Sequence, residues 1–325
     1  MARAFAAAVQ LQQLLLLALA AAAAPARPIN LVHVVADDLG WDDLGFRNGH
    51  KTFTPAINER VAEGIVLTHY HTYKVCGPSR ASIMTGRYPW GIGYYDMTGD
   101  EAVGLDYTLM PEILQASGWK TAAIGKWDLG AWTKSYTPTF RGFDSFVGYY
   151  NAALEDYWFH GGSCSKQCAA SSTDLSNSSG LNDAEGVRHA DTAVNGTYDS
   201  EIFTAEALRL LRGHGSAMDA DAASLYIYLA FQNVHTTAQR QTTISGRQPF
   251  QAPCETVDGL YSHAATDAVK VLGSMVTELD YGVGNVTAAL KATGREWLMI
   301  LTSDNGGPIN LGNSNYPLRG GKHTL

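Results

Sequence analysis

The chain has 325 residues, 46% hydrophobic and 17% charged. That is enough to bury the core of one large domain and too apolar for a disordered chain. Four cysteines exclude a disulfide scaffold. A net charge of −8 argues against a nucleic-acid partner, which needs a basic surface, but leaves room for an anionic ligand held by a local basic pocket or a metal.

Residues 1–26 carry Arg3, then a Leu- and Ala-rich centre, then small residues near Ala22 to Ala26. This pattern reads as a cleaved secretory signal peptide, with an uncleaved anchor as the alternative. The expected location is the secretory pathway, with a secreted or lysosomal product. No later segment is apolar enough to cross a bilayer, so no stable membrane span is expected. Ile29 to Ala36 is a buried-strand candidate ending in Asp37-Asp38, and the β-branched and aromatic run Ile65 to Tyr73 is another. Thr108 to Ser117 reads as a helix. Lys120 to Gly125 reads as a strand ending in Lys126. Residues 160–200 are rich in Ser, Asn, Gly and Cys and read as an exposed insertion. Cys164 and Cys168 flank a short loop there and can pair, whereas Cys254 has no evident partner. Acceptor sequons start at Asn177, Asn195 and Asn285. Ser200 to Arg212 and Ala268 to Leu279 read as helices, the latter with Val269, Leu272, Met275, Val276 and Leu279 at helical spacing. Ser224 to Phe231 and Trp297 to Thr302 complete the strands. This alternation predicts an α/β fold with a mostly parallel sheet flanked by helices.

In such a sheet, ligands gather at the carboxyl ends of the strands. Those ends deliver Asp37, Asp38, Asp304 and Asn305, with Lys126 and His235 on the same rim. Alone, Asp37-Asp38 reads as a cap or turn, and Asp304-Asn305-Gly-Gly as a turn. Together, three carboxylates and an amide oxygen make a hard-oxygen site suited to Ca²⁺ or Mg²⁺. The most specific string is Cys76-Gly-Pro-Ser-Arg80, followed by Thr85-Gly-Arg87. Pro78 suits the first turn of a helix and Gly86 its end. Cys76 then sits near a helix N-terminus, where negative charge is favoured.

Together with D-D-L-G-W, T-G-R-Y, G-K-W, R-G-F-D, F-Q-N-V-H, G-N-V-T-A-A-L, S-D-N-G-G and P-L-R-G-G-K, this string makes the chain resemble the formylglycine-dependent sulfatase family. The resemblance runs from about Asn30 to Leu325 and is closest to the arylsulfatase B, or N-acetylgalactosamine-4-sulfatase, type. It implies an alkaline-phosphatase-like sheet, and hydrolysis of aryl or sugar sulfate monoesters. It also implies oxidation of Cys76 to formylglycine by the formylglycine-generating enzyme. One Ca²⁺ would be held by Asp37, Asp38, Asp304, Asn305 and the modified residue 76. Arg80 would steady the formylglycine hydrate, while Lys126, Lys322 and His235 would bind the sulfate and the bridging oxygen. The substrate would be a sulfated small molecule or glycan. The rival readings are a non-catalytic binder of sulfated glycans and a phosphoester hydrolase on the related sheet. Against the latter, phosphatases of that superfamily carry Ser or Thr where Cys76 stands.

Two features depart from the family pattern. Asp128 stands where the family usually has His, and reads either as a variant base or as the mark of a weakened site. The chain ends three residues after Lys322, without the family's small C-terminal domain. Residues 27–325 therefore read as an N-terminal catalytic domain incomplete at its C-terminus, in which Lys322 is expected to fray.

Overall fold

The computed structural model describes residues 28–95, 102–150, 156–158, 176–179, 188–189, 194, 196–215, 223–237, 250–264 and 266–324. Residues 1–26, read above as a signal peptide, and Asn195, Cys164 and Cys168 lie outside the described residues.

Seven strands form one sheet: β1 (Ile29–Ala36), β2 (Lys120–Lys126), β3 (Ser145–Tyr149), β4 (Ser176–Ser179), β5 (Arg188–His189), β6 (Leu225–Ala230) and β7 (Glu296–Ser303). Their order is β5-β4-β3-β2-β6-β1-β7. The five strands from β3 to β7 in that order run parallel, while β4 and β5 pair antiparallel beyond β3. The central strands read as continuous apolar runs because both faces are covered. On one face α4 (Asp199–Gly213) and α6 (Asp267–Ala292) bury Phe203, Ala207, Met275, Leu279 and Val283 against Val32, Val34, Ile227 and Leu229. On the other, α2 (Cys76–Thr85), α3 (Met110–Ala116) and the loops around them set Ala81, Met84, Leu109, Trp127 and Phe143 against Val35, Ala123, Tyr226 and Tyr228. Each large apolar side chain removed from water here contributes about 1.5–3 kcal/mol before ordering costs.

Helix ends follow local chemistry. The Thr266 side chain accepts from the Val269 amide at the start of α6. Gly86 closes α2 with φ +66 and its N–H donates to the Ser82 carbonyl, a left-handed stop that glycine adopts without strain. α1 (Pro55–Glu63), a helix the periodicity does not reveal, takes its N-terminal partner from afar: Asp280 on α6 accepts from the Ala56 and Ile57 amides. At the near end of the α6 stripe, Val269 is exposed rather than buried.

Two sequence expectations change. Ile65 to Tyr73 is not a strand: β6 and β7 already flank β1, and this run lies outside the sheet with Ile65 90% exposed. High β propensity describes fit to a pleated, half-buried surface, and here no such surface is offered. Part of the 160–200 segment, read as an exposed insertion, instead extends the sheet as β4 and β5. Asn285 is exposed on α6, and Cys254 is a free, exposed thiol at the start of α5 (Cys254–Leu260).

His33 on β1 is buried edge-on to the Tyr228 ring, and its Nε2 has no hydrogen-bond partner among the described residues. Burial lowers its pKa from 6.5 to about 4. The unfolded chain therefore binds a proton in that interval and the native chain does not, so stability falls as pH drops from 6.5 toward 4. His33→Phe should flatten this slope by about 1.4 kcal/mol per pH unit inside the window, measured as urea unfolding at pH 7.5, 6 and 5. An unchanged slope contradicts the assignment.

Candidate active site

The site lies across the carboxyl ends of β2, β6, β1 and β7, four adjacent parallel strands. Asp37 directly follows β1, and its backbone still belongs to the ladder: its N–H donates to the Asn233 carbonyl. Asp38 then takes φ +61, a left-handed conformation uncommon for any residue but glycine and best tolerated by Asp and Asn. That turn is how two neighbouring carboxylates reach one site instead of opposite faces of a strand. Asp128, two residues past β2, uses the same device with φ +57.

α2 brings Cys76 and Arg80 to this rim. The helix enters close to the backbone because residue 77 is glycine: a Cβ there would lie 2.6 Å from the Tyr94 hydroxyl and 3.3 Å from the Asp128 carbonyl oxygen. The Tyr94 hydroxyl donates to that same carbonyl at 3.0 Å. The Cys76 Sγ lies 3.6 Å from Asp37 Oδ1. Burial pushes its thiol pKa well up, with Asp37 and Asp304 adding to the rise and Lys126 opposing it.

Three cations hold three carboxylates. Arg80 Nε and Nη2 both donate to Asp304 Oδ2, at 3.0 and 2.8 Å, and Nη1 reaches the Lys126 carbonyl and the Tyr228 hydroxyl. Lys126 Nζ donates to Asp37 Oδ2 at 2.8 Å and lies 3.7 Å from Asp128 Oδ2. Lys322 Nζ lies 2.8 Å from Asp38 Oδ1 and 2.9 Å from Oδ2. The expectation that Lys322 frays is therefore corrected: the ion pair is buried, and the backbone is pinned where the Lys322 amide meets the Gly307 carbonyl and the His323 amide the Lys74 carbonyl.

His235 joins from the loop after β6. Its Nδ1 donates to the Thr236 carbonyl at 2.5 Å, leaving Nε2 3.6 Å from Asp38 Oδ2. Its own backbone carbonyl accepts from the Tyr157 hydroxyl. Burial lowers its pKa, although Asp37 and Asp38 partly restore it. Burial alone would raise Asp37, but Lys126, His235 and Arg80 outweigh it and bring the carboxyl to about 2. Asp128 moves the other way, raised by burial that Lys126 and Arg80 only partly offset. Its Oδ2 has no hydrogen-bond partner among the described residues.

Asp37, Asp38, Cys76 and His235 present atoms within 4.8 Å of one another, a grouping able to hold a metal ion. Asp304 and Asn305 attach through Asp38: Asp304 Oδ1 accepts from the Asp38 amide, and Asn305 Nδ2 donates to Asp38 Oδ1 at 2.7 Å. The Asn305 Oδ1 is buried without a partner. The carboxylate and amide oxygens of Asp37, Asp38, Asp304 and Asn305 suit a hard divalent cation, but the close grouping leaves out Asp304 and includes the Cys76 thiol and the His235 imidazole instead. Four carboxylates, counting Asp128, face three fixed cations. The site alone thus carries one net negative charge, and a divalent ion reverses the sign.

All ten residues picked out from the sequence converge here. Three positioning groups carry little or no signal in the sequence and are added by the structure. Asp43 accepts from the Gly40 and Ser314 amides and from Asn313 Nδ2, and Asn313 also donates to the Asp38 carbonyl. Tyr228 lies under Arg80. The second Asp pair of W-D-D, residues 42 and 43, is the available signal for the first, whereas a tyrosine inside an apolar strand carries none.

A sequence model of the sulfatase family matches residues 29–325. Among curated relatives, arylsulfatase J of Mus musculus is 31% identical over 305 residues, covering 91% of this chain and 45% of that protein. N-acetylgalactosamine-6-sulfatase of Mus musculus is 28% identical over 345 residues, covering 98% of this chain and 59% of that protein. The crystal structure of Ps i-CgsB, also solved in complex with k-i-k-neocarrahexaose, superposes with a TM-score of 0.70 at 27% identity, covering 91% of this chain and 62% of that one. The PsFucS1 sulfatase from Pseudoalteromonas sp. superposes with a TM-score of 0.69 at 24% identity, covering 91% and 59%, and shares the fold. The chain spans about half the length of the curated relatives it matches.

Arg80→Met leaves the Asp304 carboxylate buried without its bidentate partner. The expected loss is roughly 3–5 kcal/mol in denaturant unfolding, partly recovered when Asp304→Asn is added. A loss below about 1 kcal/mol would show that the pair does not carry the cluster.

Proposed function

The chain belongs to the sulfatase family, and from that premise we propose that it hydrolyses sulfate monoesters, with residue 76 as formylglycine and one Ca²⁺ held by Asp37, Asp38, Asp304, Asn305 and residue 76. The observation that carries this reading is that Cys76 Sγ lies 3.6 Å from Asp37 Oδ1 while the Lys126 ammonium holds the other oxygen of that carboxylate. An anionic ester at residue 76 would feel the charge of both Lys126 and Lys322. The buried thiol, with its pKa pushed up, is a poor nucleophile as it stands, which favours a modified residue 76.

When present, the formylglycine hydrate supplies the hydroxyl that attacks sulfur, and Ca²⁺ supplies charge that the sulfuryl oxygens lean on. The chain's own groups do the remainder. Lys126 and Lys322 offset charge developing on the sulfuryl oxygens and are pre-aimed by Asp37 and Asp38. Arg80, locked on Asp304, holds α2 and thereby residue 76 in register. The proton for the departing alcohol comes from His235 or Lys322: with Nδ1–H committed to the Thr236 carbonyl, His235 donates from Nε2 only as the imidazolium, which Asp37 and Asp38 favour and burial opposes, whereas Lys322 is an ammonium at rest.

Asp128 takes the proton released at residue 76. Supporting this role are its burial, an Oδ2 that makes no hydrogen bond among the described residues and lies 3.7 Å from Lys126 Nζ, and a pKa raised by burial. The negative charge it adds beside a sulfate is offset by Lys126 and the divalent ion. Sulfated sugars are the favoured substrate class, in keeping with the N-acetylgalactosamine-6-sulfatase relatives and with the complex of the i-CgsB neighbour. The N-terminal segment directs the chain into the secretory pathway, where Cys76 meets the formylglycine-generating enzyme.

Active protein is expected to show the formylglycine mass at residue 76 by peptide mass spectrometry. Cys throughout, in protein that cleaves an aryl sulfate, contradicts the reading. Asp128→Asn should lower kcat by about 10²-fold or more, while Asp128→His keeps or raises turnover. Protein that carries formylglycine yet is inert on every sulfate ester supports instead a binder of sulfated glycans, and cleavage of an aryl phosphate alone supports a phosphoester hydrolase.

A further inference from the structure

With residue 76 as cysteine, the tightest group of ligand atoms at the rim is not a hard-oxygen set. Asp37, Asp38, Cys76 and His235 each offer one atom, all within 4.8 Å of one another, and all four side chains are buried. Calcium and magnesium take oxygen, whereas thiolate sulfur and imidazole nitrogen are donors for zinc. Asp304, which would make the set richer in oxygen, is engaged elsewhere. Its Oδ2 accepts from Arg80 Nε and Nη2, and its Oδ1 from the Asp38 amide. Asn305 turns its amide nitrogen, not its oxygen, toward Asp38.

The spacing suits a tetrahedral ion. Donors about 2.0–2.3 Å from zinc lie roughly 3.3–3.5 Å apart. Cys76 Sγ is 3.6 Å from Asp37 Oδ1, and His235 Nε2 is 3.6 Å from Asp38 Oδ2, so the set has only to draw in slightly. The groups behind these donors are in place as well. His235 commits Nδ1–H to the Thr236 carbonyl, which fixes the tautomer and leaves the Nε2 lone pair for a metal. Lys126 donates to Asp37 Oδ2 and Asn305 to Asp38 Oδ1. Asp37 Oδ1 is thereby left to the sulfur, and Asp38 Oδ2, shared with Lys322, to the imidazole.

Charge separates the two states of residue 76. Counted as ionised, Asp37, Asp38, Asp304 and Asp128 exceed Lys126, Lys322 and Arg80 by one. A Cys76 thiolate adds a second negative charge, so a divalent ion leaves the cluster neutral. A formylglycine hydrate adds none, and the same ion leaves a net positive charge for an anion to meet.

We propose that the chain with Cys76 unmodified is a zinc protein, holding one Zn²⁺ through Cys76 Sγ, His235 Nε2 and one carboxylate oxygen each of Asp37 and Asp38. On binding, the Zn–S bond forms as the S–H proton leaves to solvent, and no electron is transferred. Four protein ligands close the shell, and the neutral cluster no longer draws an anion. The contrast with the formylglycine form rests on the sulfatase reading of the site, whereas zinc binding by the cysteine form does not.

The test uses the full chain made without the formylglycine-generating enzyme, its Cys76 verified by peptide mass. It is titrated with Co²⁺ as a spectroscopic probe and then with Zn²⁺, beside Cys76→Ser. One Co²⁺ per chain should bring a sulfur-to-cobalt charge-transfer band and the intense visible bands of a tetrahedral ion. Zn²⁺ should abolish both, and a large excess of Ca²⁺ should not. These bands are read on the unsubstituted chain and need no variant to fold. Cys76→Ser should lose the charge-transfer band and bind Zn²⁺ at least about tenfold more weakly, since losing even an outer-shell partner costs that much. Co²⁺ uptake without a sulfur band, displacement of Zn²⁺ by Ca²⁺, or equal Zn²⁺ affinity in Cys76→Ser overturns the proposal, as does a folded chain that takes up neither Co²⁺ nor Zn²⁺. Protein that carries formylglycine yet binds Zn²⁺ as tightly as the cysteine form overturns the contrast between the two states. A cysteine form that binds Zn²⁺, in a protein whose formylglycine form hydrolyses no sulfate ester, overturns the enzymatic reading and leaves the zinc site standing.

Discussion

The buried charges at the carboxyl rim of the sheet constrain everything around them. Asp37, Asp38 and Asp304 are removed from water, and each is held by a cation from a different segment: Lys126 from β2, Lys322 from the C-terminal loop, Arg80 from α2. Isolated buried charges of this kind cost several kcal/mol apiece, so no member can move without exposing another to that penalty. The cluster therefore fixes how α2 docks, where β2 ends and how the last described residues fold back. It contributes position more than stability, since a well-packed apolar replacement of a buried pair is often no worse.

The strand order gives the cluster its membership. β2, β6, β1 and β7 are neighbours although they are widely separated in the chain, so parallel crossovers set their carboxyl ends side by side. The left-handed turns at Asp38 and Asp128 then aim side chains that a continuing strand would have sent to the wrong face. Tyr228 and Asp43 tie this rim to the core beneath it and to the 313–314 loop beyond it. Counted as ionised, the four carboxylates exceed the three cations by one, the charge that a divalent ion would reverse, and Asp128 Oδ2 is left with an ion pair to Lys126 but no hydrogen bond among the described residues.

Much of this is legible in the sequence. Continuous apolar runs place β1, β2, β6 and β7, and the residues just after each run are the site. The Cys76 string announces both a helix and its end at Gly86. The failures share a physical cause, in that their outcome depends on partners far along the chain. Ile65 to Tyr73 has the composition of a strand but no open edge beside β1. The Ser- and Asn-rich stretch around residues 176–179 lacks apolar alternation yet pairs with β3 because that edge is free. α1 is invisible to periodicity because Ile57 is its one buried side chain, and the acceptor for its N-terminal amides, Asp280, lies more than 220 residues away. A place near the end of the sequence suggests that Lys322 is loose, but a buried carboxylate outweighs a nearby terminus.

A divalent cation held by Asp37, Asp38, Asp304 and Asn305 would make the rim receptive to an anion. Titration of the full chain with Ca²⁺, followed by calorimetry and thermal unfolding, tests it most directly. One ion should bind per chain, with stabilisation of about 2.7 kcal/mol at a hundredfold excess over Kd, and both should be lost in Asp38→Asn and Asp304→Asn. A folded wild-type chain that takes up no Ca²⁺ or Mg²⁺, or that binds equally well without these carboxylates, would contradict it.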